Sequence, residues 1–211
     1  MVEVSVTRGP TIIPAASLRI IPASEAPWQD LELVLSTSSP LRCQCQRYKL
    51  QPQESFASFP SEERAHRLRQ QTYCDHQAAG ITTGIVAYLD KEPVGWCAIQ
   101  PRTAYPGLLR NSKVPWVGRT EEKTDDTVWA LTCFVTRVGY RKRGISRALA
   151  GAAVQYAKER GARAVEGYPI TTTAVIDEEL HVGTVGTFVQ AGFQEVSQPS
   201  KRRVVMRKNI Y

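Results

Sequence analysis

Residues 128–161, "VWALTCFVTRVGYRKRGISRALAGAAVQYAKERG", contain the clearest pattern of secondary structure in the chain. The first nine residues are the most apolar run of the chain and predict a central strand. Apolar side chains recur from Ile145 at helical spacing, which predicts a helix over 145–160 that Gly161 ends. A second β-rich run, "ARAVEGYPI", follows at residues 162–170. Strand, helix and strand together predict a βαβ unit.

The turn between the first strand and the helix contains Arg141, Lys142 and Arg143. A helix N-terminus already carries unpaired N–H groups and positive partial charge, so added cations indicate an anionic ligand. Gly144 lets a ligand approach the backbone, and Ser146 keeps the next inward position small. Because neither GxxxxGK[ST] nor GxGxxG is present, the turn predicts a pyrophosphate site of another kind.

The composition describes an ordinary globular protein with a basic balance. The chain has 211 residues, 27 Lys+Arg and 20 Asp+Glu, for a net charge of +7. This excess favours an anionic ligand, although a solvated basic surface explains it equally well. The start lacks the pattern of a signal peptide, no apolar run has the length of a membrane span, and the five cysteines are irregularly spaced. We therefore expect a cytoplasmic protein with no membrane partner.

The rest of the chain predicts one mixed α/β domain over residues 17–211, preceded by a loosely ordered arm, residues 1–16. The expected elements are a first strand in "SLRIIPA", a helix capped by Ser24, a helix after Pro60 whose charged face starts at Ser61 and Arg64, a hairpin of Ile85–Leu89 and Val94–Ile99 around a turn at Asp90–Pro93, a short helix near residues 182–193, and two final strands.

The sequence resembles the GCN5-related N-acetyltransferases (GNAT family). Residues 141–146 fit their motif Arg/Gln-x-x-Gly-x-Gly/Ala, with Ser146 in place of the usual last residue. The hairpin looks like the family's second and third strands, and "FVQAGFQEV", residues 188–196, is similar to its late helix and strand. The resemblance covers about residues 17–209. It implies a single α/β domain with a central mixed, mostly antiparallel sheet flanked by helices and a βαβ acetyl-CoA site.

The resemblance also implies the reaction. Acetyl-CoA would be the co-substrate, with its thioester near Cys133 and Phe134, and the primary amine of a small molecule or peptide would attack it directly. A main-chain N–H near Val135 would polarise the carbonyl. No metal is implied, and a homodimer is left open. The implied cofactor-binding residues are Phe134, Val135, Thr136, Arg141, Lys142, Arg143, Gly144, Ile145 and Ser146.

Two departures from the family bear on catalysis. Phe188 stands where many members have a tyrosine acid, and Thr132 where members often have a glutamate base. Glu166, which interrupts an apolar strand, is a candidate base, with an ion pair as the alternative. Tyr168, two residues on, could protonate the thiolate. His181 could be a base, or simply a cap or surface residue.

Two other functions stay open on the sequence alone. The missing tyrosine and glutamate suggest a CoA-binding module without catalysis. The cations at 141–143 could instead contact nucleic acid, although no further basic run with aromatics supports this. Cys43 and Cys45 lack a neighbouring Cys/His pair, which argues against zinc. Residues 101–125 could cover the acceptor site or form a plain surface loop.

Overall fold

The computed structural model describes residues 18–36, 43–56, 58–111, 113–172, 174–175 and 177–211. They form a seven-stranded sheet in the order β1-β2-β3-β4-β5-β7-β6, whose neighbouring strands are antiparallel except for β4 and β5. The predicted mixed, mostly antiparallel sheet is confirmed, while the predicted arm, residues 1–16, lies outside the described residues. The strands are β1 Leu18–Pro22, β2 Gly84–Leu89, β3 Glu92–Pro101, β4 Val128–Thr136, β5 Ala164–Gly167, β6 Gln194–Ser200 and β7 Arg203–Asn209, and the helices are α1 Trp28–Ser36, α2 Ser61–Thr72, α3 Pro106–Arg110, α4 Ile145–Lys158 and α5 Val185–Gln190.

The βαβ unit forms as the apolar pattern predicts. β4 is buried from Val128 to Val135, and α4 buries Ile145 and Leu149 against the sheet. α4 ends at Lys158, two residues before the predicted end, and Gly161 follows with φ +79°. Such a difference is within the usual fraying of helix ends.

The predicted hairpin is confirmed with a tighter turn. Leu89 pairs with Glu92, so only Asp90 and Lys91 lie between the strands. Asp90 takes φ +56°, the left-handed conformation that two-residue hairpin turns require. Pro93, expected in the turn, pairs with Tyr88 in the strand.

Two expectations about the early helices are wrong. Ser24 does not cap α1, because it belongs to a separate 3-10 turn and is buried. Pro27 restricts the residue before it to extended backbone, and its own carbonyl accepts the first bonds of α1 from Asp30 and Leu31. Arg64 is not solvated either. It is buried against the Phe56 ring, 4.6 Å from the centroid, and donates to the Phe59 carbonyl.

A bulge in β4 creates the opening on which the site depends. Ala98 pairs with Cys133 and Ile99 with Leu131, which leaves Thr132 as an extra residue on β4. Pairing between β4 and β5 ends directly before the bulge, where Leu131 pairs with Gly167. Beyond the bulge, β4 therefore presents an unpaired edge towards the space that β5 has left.

Residues 101–125 are not a plain surface loop. They contain a 3-10 turn at Arg102–Ala104 followed by α3, and they bury Tyr105 completely. The Trp116 indole, also buried, donates to the Leu108 carbonyl at 2.7 Å. None of the described helices is long and apolar enough to cross a membrane.

Candidate active site

A cavity of about 510 Å³ opens where β4 parts from β5. Its walls are the end of β4, the first turn of α4 and the segment 180–190. The predicted cofactor-binding residues come together here with the exception of Arg143, and they are Phe134, Val135, Thr136, Arg141, Lys142, Gly144, Ile145 and Ser146. The end of β4, the turn that follows it and the start of α4, which are adjacent in sequence, thus line one cavity.

The turn before α4 has the backbone geometry of an anion site. Lys142 and Gly144 take φ of +61° and +83°, the left-handed conformations that create concave arrays of N–H groups. The first helical bond runs from the Ala148 N–H to the Gly144 carbonyl at 3.0 Å. The N–H groups of residues 145–147 therefore have no helical acceptor, and no acidic side chain lies in this first turn. The turn is suited to a phosphate.

Cations surround this turn in two different ways. Arg141 and Lys142 are exposed and line the cavity. Arg143 instead stacks on Tyr140, with its guanidinium 5.4 Å from the ring centroid. Arg147, in the first turn of α4, lines the cavity in its place. Arg147 is not among the residues predicted from the sequence, although its position three residues after Gly144 on the helix could have indicated it.

Ser146, the departure from the family motif, contacts β4. Its hydroxyl lies 3.2 Å from the Thr136 hydroxyl. This hydrogen bond joins the start of α4 to the end of β4, and both residues line the cavity. The serine is therefore accommodated without disturbing the turn.

The free edge of β4 specifies which main-chain N–H groups near Val135 face the opening. The Arg137 N–H donates to the Val94 carbonyl at 2.9 Å, so Arg137 faces β3. Alternate residues of an antiparallel strand face the same way, and Val135 therefore also directs its N–H to β3, opposite Trp96. The N–H groups of Phe134 and Thr136 face the opening instead. They, and not that of Val135, are available to a ligand.

The opposite wall of the cavity contains His181. Its side chain is buried and lines the cavity together with Phe134 and Gly183. Gly183 has φ +82°, and a Cβ there would lie 2.9 Å from Phe188 and 3.2 Å from Phe134. A glycine is thus required for the chain to pass this close to the two rings. Of the predicted catalytic residues, His181 is the one that reaches the cavity.

Phe188 fills the space at the end of β5. Its ring packs edge-on against Phe134, with centroids 5.7 Å apart, and it is fully buried. A Cβ on Gly167 would lie only 2.0 Å from the Phe188 ring, so the contact with β5 is equally close. Phe188 acts as an apolar wedge beside the opening, and it has no proton to donate.

The structure argues against Glu166 as a base. Its carboxylate is fully buried and does not line the cavity. Arg102, Arg119 and Arg207 all donate to it, with distances of 3.3 Å from Arg102 and 2.8 Å from Arg207. Both carboxylate oxygens therefore already accept hydrogen bonds from buried groups, and neither is directed at the cavity where an amine would arrive. The ion-pair alternative describes this residue.

Tyr168 is part of the same cluster. Its hydroxyl donates to Glu166 at 3.3 Å, and its side chain is buried away from the cavity. Burial and the Glu166 charge raise the pKa of Tyr168 well above its usual value. The proposed proton transfer from Tyr168 to a thiolate is therefore not supported by its position.

Glu121 completes the cluster at its exposed side. Its carboxylate lies 2.9 Å from Arg119 and 2.8 Å from Arg207. Partial burial raises the pKa of Glu121, but the two guanidinium groups outweigh burial and lower it overall. The three arginines come from distant parts of the chain, and no local pattern in the sequence links them to Glu166.

The cysteines and the acidic residues form no metal site in the described part of the chain. No group of three or more His, Cys, Asp or Glu side chains is placed to hold a metal there. The Cys45 thiol is buried and accepts a hydrogen bond from the Trp96 indole at 3.2 Å, while Cys43 is half-buried.

Comparison with solved structures identifies the fold. PaiA N-acetyltransferase from Thermoplasma acidophilum, solved in complex with coenzyme A, is 14% identical over 92% of this chain and 99% of its own, with a TM-score of 0.50. YncA from Salmonella typhimurium, solved with its cofactor acetyl-CoA, is 10% identical over 92% and 94%, with a TM-score of 0.53. Ribosomal-protein-alanine N-acetyltransferase from Brucella melitensis is 16% identical over 92% and 99%, with a TM-score of 0.52. At these identities the likeness shows a shared fold.

A search of curated proteins gave no match. The family of this chain is shown by a match to a protein-family model. The model described as the acetyltransferase (GNAT) family matches residues 47–173, which include β2 to β5 and the whole turn before α4. Because this match spans more than half of the 211 residues, the chain belongs to the acetyltransferase (GNAT) family.

Proposed function

We propose that this protein binds acetyl-CoA in the cavity between β4 and α4 and transfers its acetyl group to a primary amine. One observation carries the proposal. The cavity joins an anion-binding turn, with left-handed Lys142 and Gly144, to the unpaired edge of β4. A pyrophosphate suits the turn, and the amides of a pantetheine arm suit a free strand edge.

In this arrangement Arg141, Lys142 and Arg147 supply the charge that the backbone turn lacks. The free N–H groups of Phe134 and Thr136 would hold the arm and polarise the thioester carbonyl. His181, across the cavity from Phe134, is the proposed donor of a proton to the departing thiolate. Phe188 would keep water away from this end of the cavity.

The binding step is tested by calorimetric titration of a Gly144→Glu variant with acetyl-CoA. The new carboxylate adds bulk and like charge beside the phosphates, and we expect binding to be lost. Gly118→Glu is the matched control, because Gly118 also has positive φ, +72°, and open space around it but lies outside the cavity. Equal affinities for the two variants would refute the assignment of the turn.

The catalytic step is tested by thiol release from acetyl-CoA with a panel of amino acids, peptides, polyamines and aminoglycosides. We expect His181→Ala to lower kcat about 10²-fold, the usual scale for loss of acid or base assistance, and to change acetyl-CoA affinity little. His66→Ala is the control, since His66 is exposed on α2. Normal kcat in His181→Ala would remove this residue from the mechanism.

The second candidate function is a CoA-binding module without catalysis. This alternative is favoured by the presence of Phe188 beside the opening, because its side chain cannot donate a proton. Tight binding of acetyl-CoA without thiol release in the presence of any amine would support this alternative over the enzyme.

A further inference from the structure

Tyr105 buries a hydroxyl that has no hydrogen-bond partner within the described residues. The side chain is fully buried, packed with Leu108, Ala130 and Val205, and its Oη atom is unpaired. Leaving a buried hydroxyl without a hydrogen bond is unfavourable, so a phenylalanine would be the more stable residue at this position. An unpaired buried hydroxyl of this kind suggests that its hydrogen-bond partner is part of a bound substrate.

The position of this hydroxyl points to the reacting centre. Oη lies close enough to Thr132 for that hydroxyl to oppose the rise in the Tyr105 pKa, but the two groups do not meet in the geometry of a hydrogen bond. Thr132 is the bulge residue at which β4 leaves β5. Ala130, which packs with Tyr105, is on the sheet face opposite α4, so Tyr105 meets the opening from the side away from the cavity. An acceptor approaching a thioester held at Phe134 from that side would pass Tyr105.

Lys49 lies next to Tyr105 on the same face. Its Nζ atom is 5.3 Å from the centroid of the Tyr105 ring and donates to Oε1 of Gln100 on β3. Among the described residues, no carboxylate pairs with it. Burial lowers the pKa of Lys49 to about 8, and the nearby Cys45 thiol opposes this shift only in part.

We propose that Lys49 and Tyr105 form the subsite for the acceptor amine, with Lys49 as the base. This inference rests on the proposed acetyltransferase function. Neutral Lys49 takes one proton from the acceptor ammonium and becomes an ammonium itself, and the freed amine then attacks the thioester carbonyl. The C–S bond breaks as the amide forms, and His181 gives its proton to the departing thiolate. The nitrogen loses its second proton to water, from which His181 recovers its own. Lys49 returns the proton to water after each turnover. The Tyr105 hydroxyl accepts a hydrogen bond from the amine and orients it.

The groups around Lys49 suit this role. Gln100 has no charge. Tyr105 is also uncharged, because burial raises its pKa and keeps its phenol protonated. No carboxylate of the described residues pairs with Lys49, and burial lowers its pKa although the Gln100 oxygen, the Tyr105 ring and Cys45 favour the charged form. The substrate class that needs such a base is an alkylamine that is protonated at neutral pH, and an uncharged nucleophile would not need it.

Tyr105→Phe separates a functional hydroxyl from a structural one. Because it removes an unsatisfied group, we expect an unchanged or raised Tm, together with a kcat about 3- to 10-fold lower, the scale of one hydrogen bond. Tyr156→Phe, at a buried tyrosine of α4 that packs on Trp129, is the control and should leave kcat unchanged. A lowered Tm with normal kcat in Tyr105→Phe would overturn the proposal.

Lys49→Met tests the base with two nucleophiles. With the best alkylamine of the panel, we expect kcat near pH 7 to fall about 10²-fold and the acidic limb of the pH profile to disappear. With hydroxylamine, which is uncharged at neutral pH, the variant should retain near-normal turnover above the uncatalysed reaction. Lys123→Met is the matched control, since Lys123 also lies over an aromatic ring, that of Trp116, at 4.9 Å.

The outcomes distinguish this inference from the function on which it rests. If the wild-type protein releases no thiol with hydroxylamine or with any amine, the acetyltransferase proposal itself fails. If the wild-type protein is active and Lys49→Met matches Lys123→Met with both nucleophiles, the Lys49–Tyr105 subsite alone is refuted.

Discussion

Replacing Glu166 with glutamine should mainly weaken the fold. In the native protein the two carboxylate oxygens accept bonds from Arg102, Arg119, Arg207 and the Tyr168 hydroxyl. Glutamine offers one acceptor oxygen, and its NH₂ group would point donors at guanidinium donors. At least one buried arginine would lose its partner, and the cluster would keep three positive charges against the single carboxylate of Glu121.

Breaking a buried ion pair on one side costs about 3–5 kcal/mol. Glu121 still lies within 2.9 Å of Arg119 and 2.8 Å of Arg207, so we expect a value near the lower end of that range. A loss of about 3 kcal/mol corresponds to a Tm lower by about 6–12 °C in a domain of this size. Because total stabilities are about 5–15 kcal/mol, the variant should still fold.

Urea unfolding followed by tryptophan fluorescence measures this loss, and acetyl-CoA titration measures its effect on binding. Affinity should stay within about twofold, since Glu166 does not line the cavity, a change below about 0.5 kcal/mol. Glu92→Gln is the control, because it removes a carboxylate from an exposed pair with Arg137 at 2.9 Å, worth about 0–1 kcal/mol. A Glu166→Gln variant with native stability and a kcat about 10²-fold lower would contradict a purely structural role and make Glu166 the base.

Two further perturbations test the packing and the electrostatics. Gly167→Ala should destabilise the protein by about 1–3 kcal/mol in urea, because its Cβ would lie 2.0 Å from the Phe188 ring. Gly151→Ala, on α4 with open space around it, should instead be neutral or slightly stabilising, and equal losses would contradict the wedge role of Phe188. Hydrogen bonds from Thr127, and then the Arg163 guanidinium, lower the pKa of Asp125 to about 2. Its stabilisation is therefore present above the usual aspartate pKa and lost as the pH falls through about 2, so the stability gap between wild type and Asp125→Asn should narrow between pH 5 and pH 2. A stability difference that stays constant from pH 5 to pH 2 would contradict the stabilising role of the Asp125 carboxylate.

The parts of the fold that depend on neighbours along the chain could be predicted from the sequence. The apolar run of β4, the helical spacing after Gly144 and the hairpin around Asp90 each fold where the pattern predicts, because strand and helix periodicity and turn chemistry are local properties. The anion-binding turn belongs to this group as well. Its cations and its glycine are adjacent in sequence, so their proximity in space needed no tertiary information.

The partners of the buried polar groups could not be predicted from the sequence and become visible only in the folded chain. Glu166 in an apolar strand indicates a buried carboxylate, but its partners Arg102, Arg119 and Arg207 come from separate loops and strands that the sheet order brings together. Tyr105 and Lys49 meet for the same reason, across residues far apart in the chain. A charge or hydroxyl removed from water must find partners wherever packing places them, and periodicity contains no information on those distant contacts.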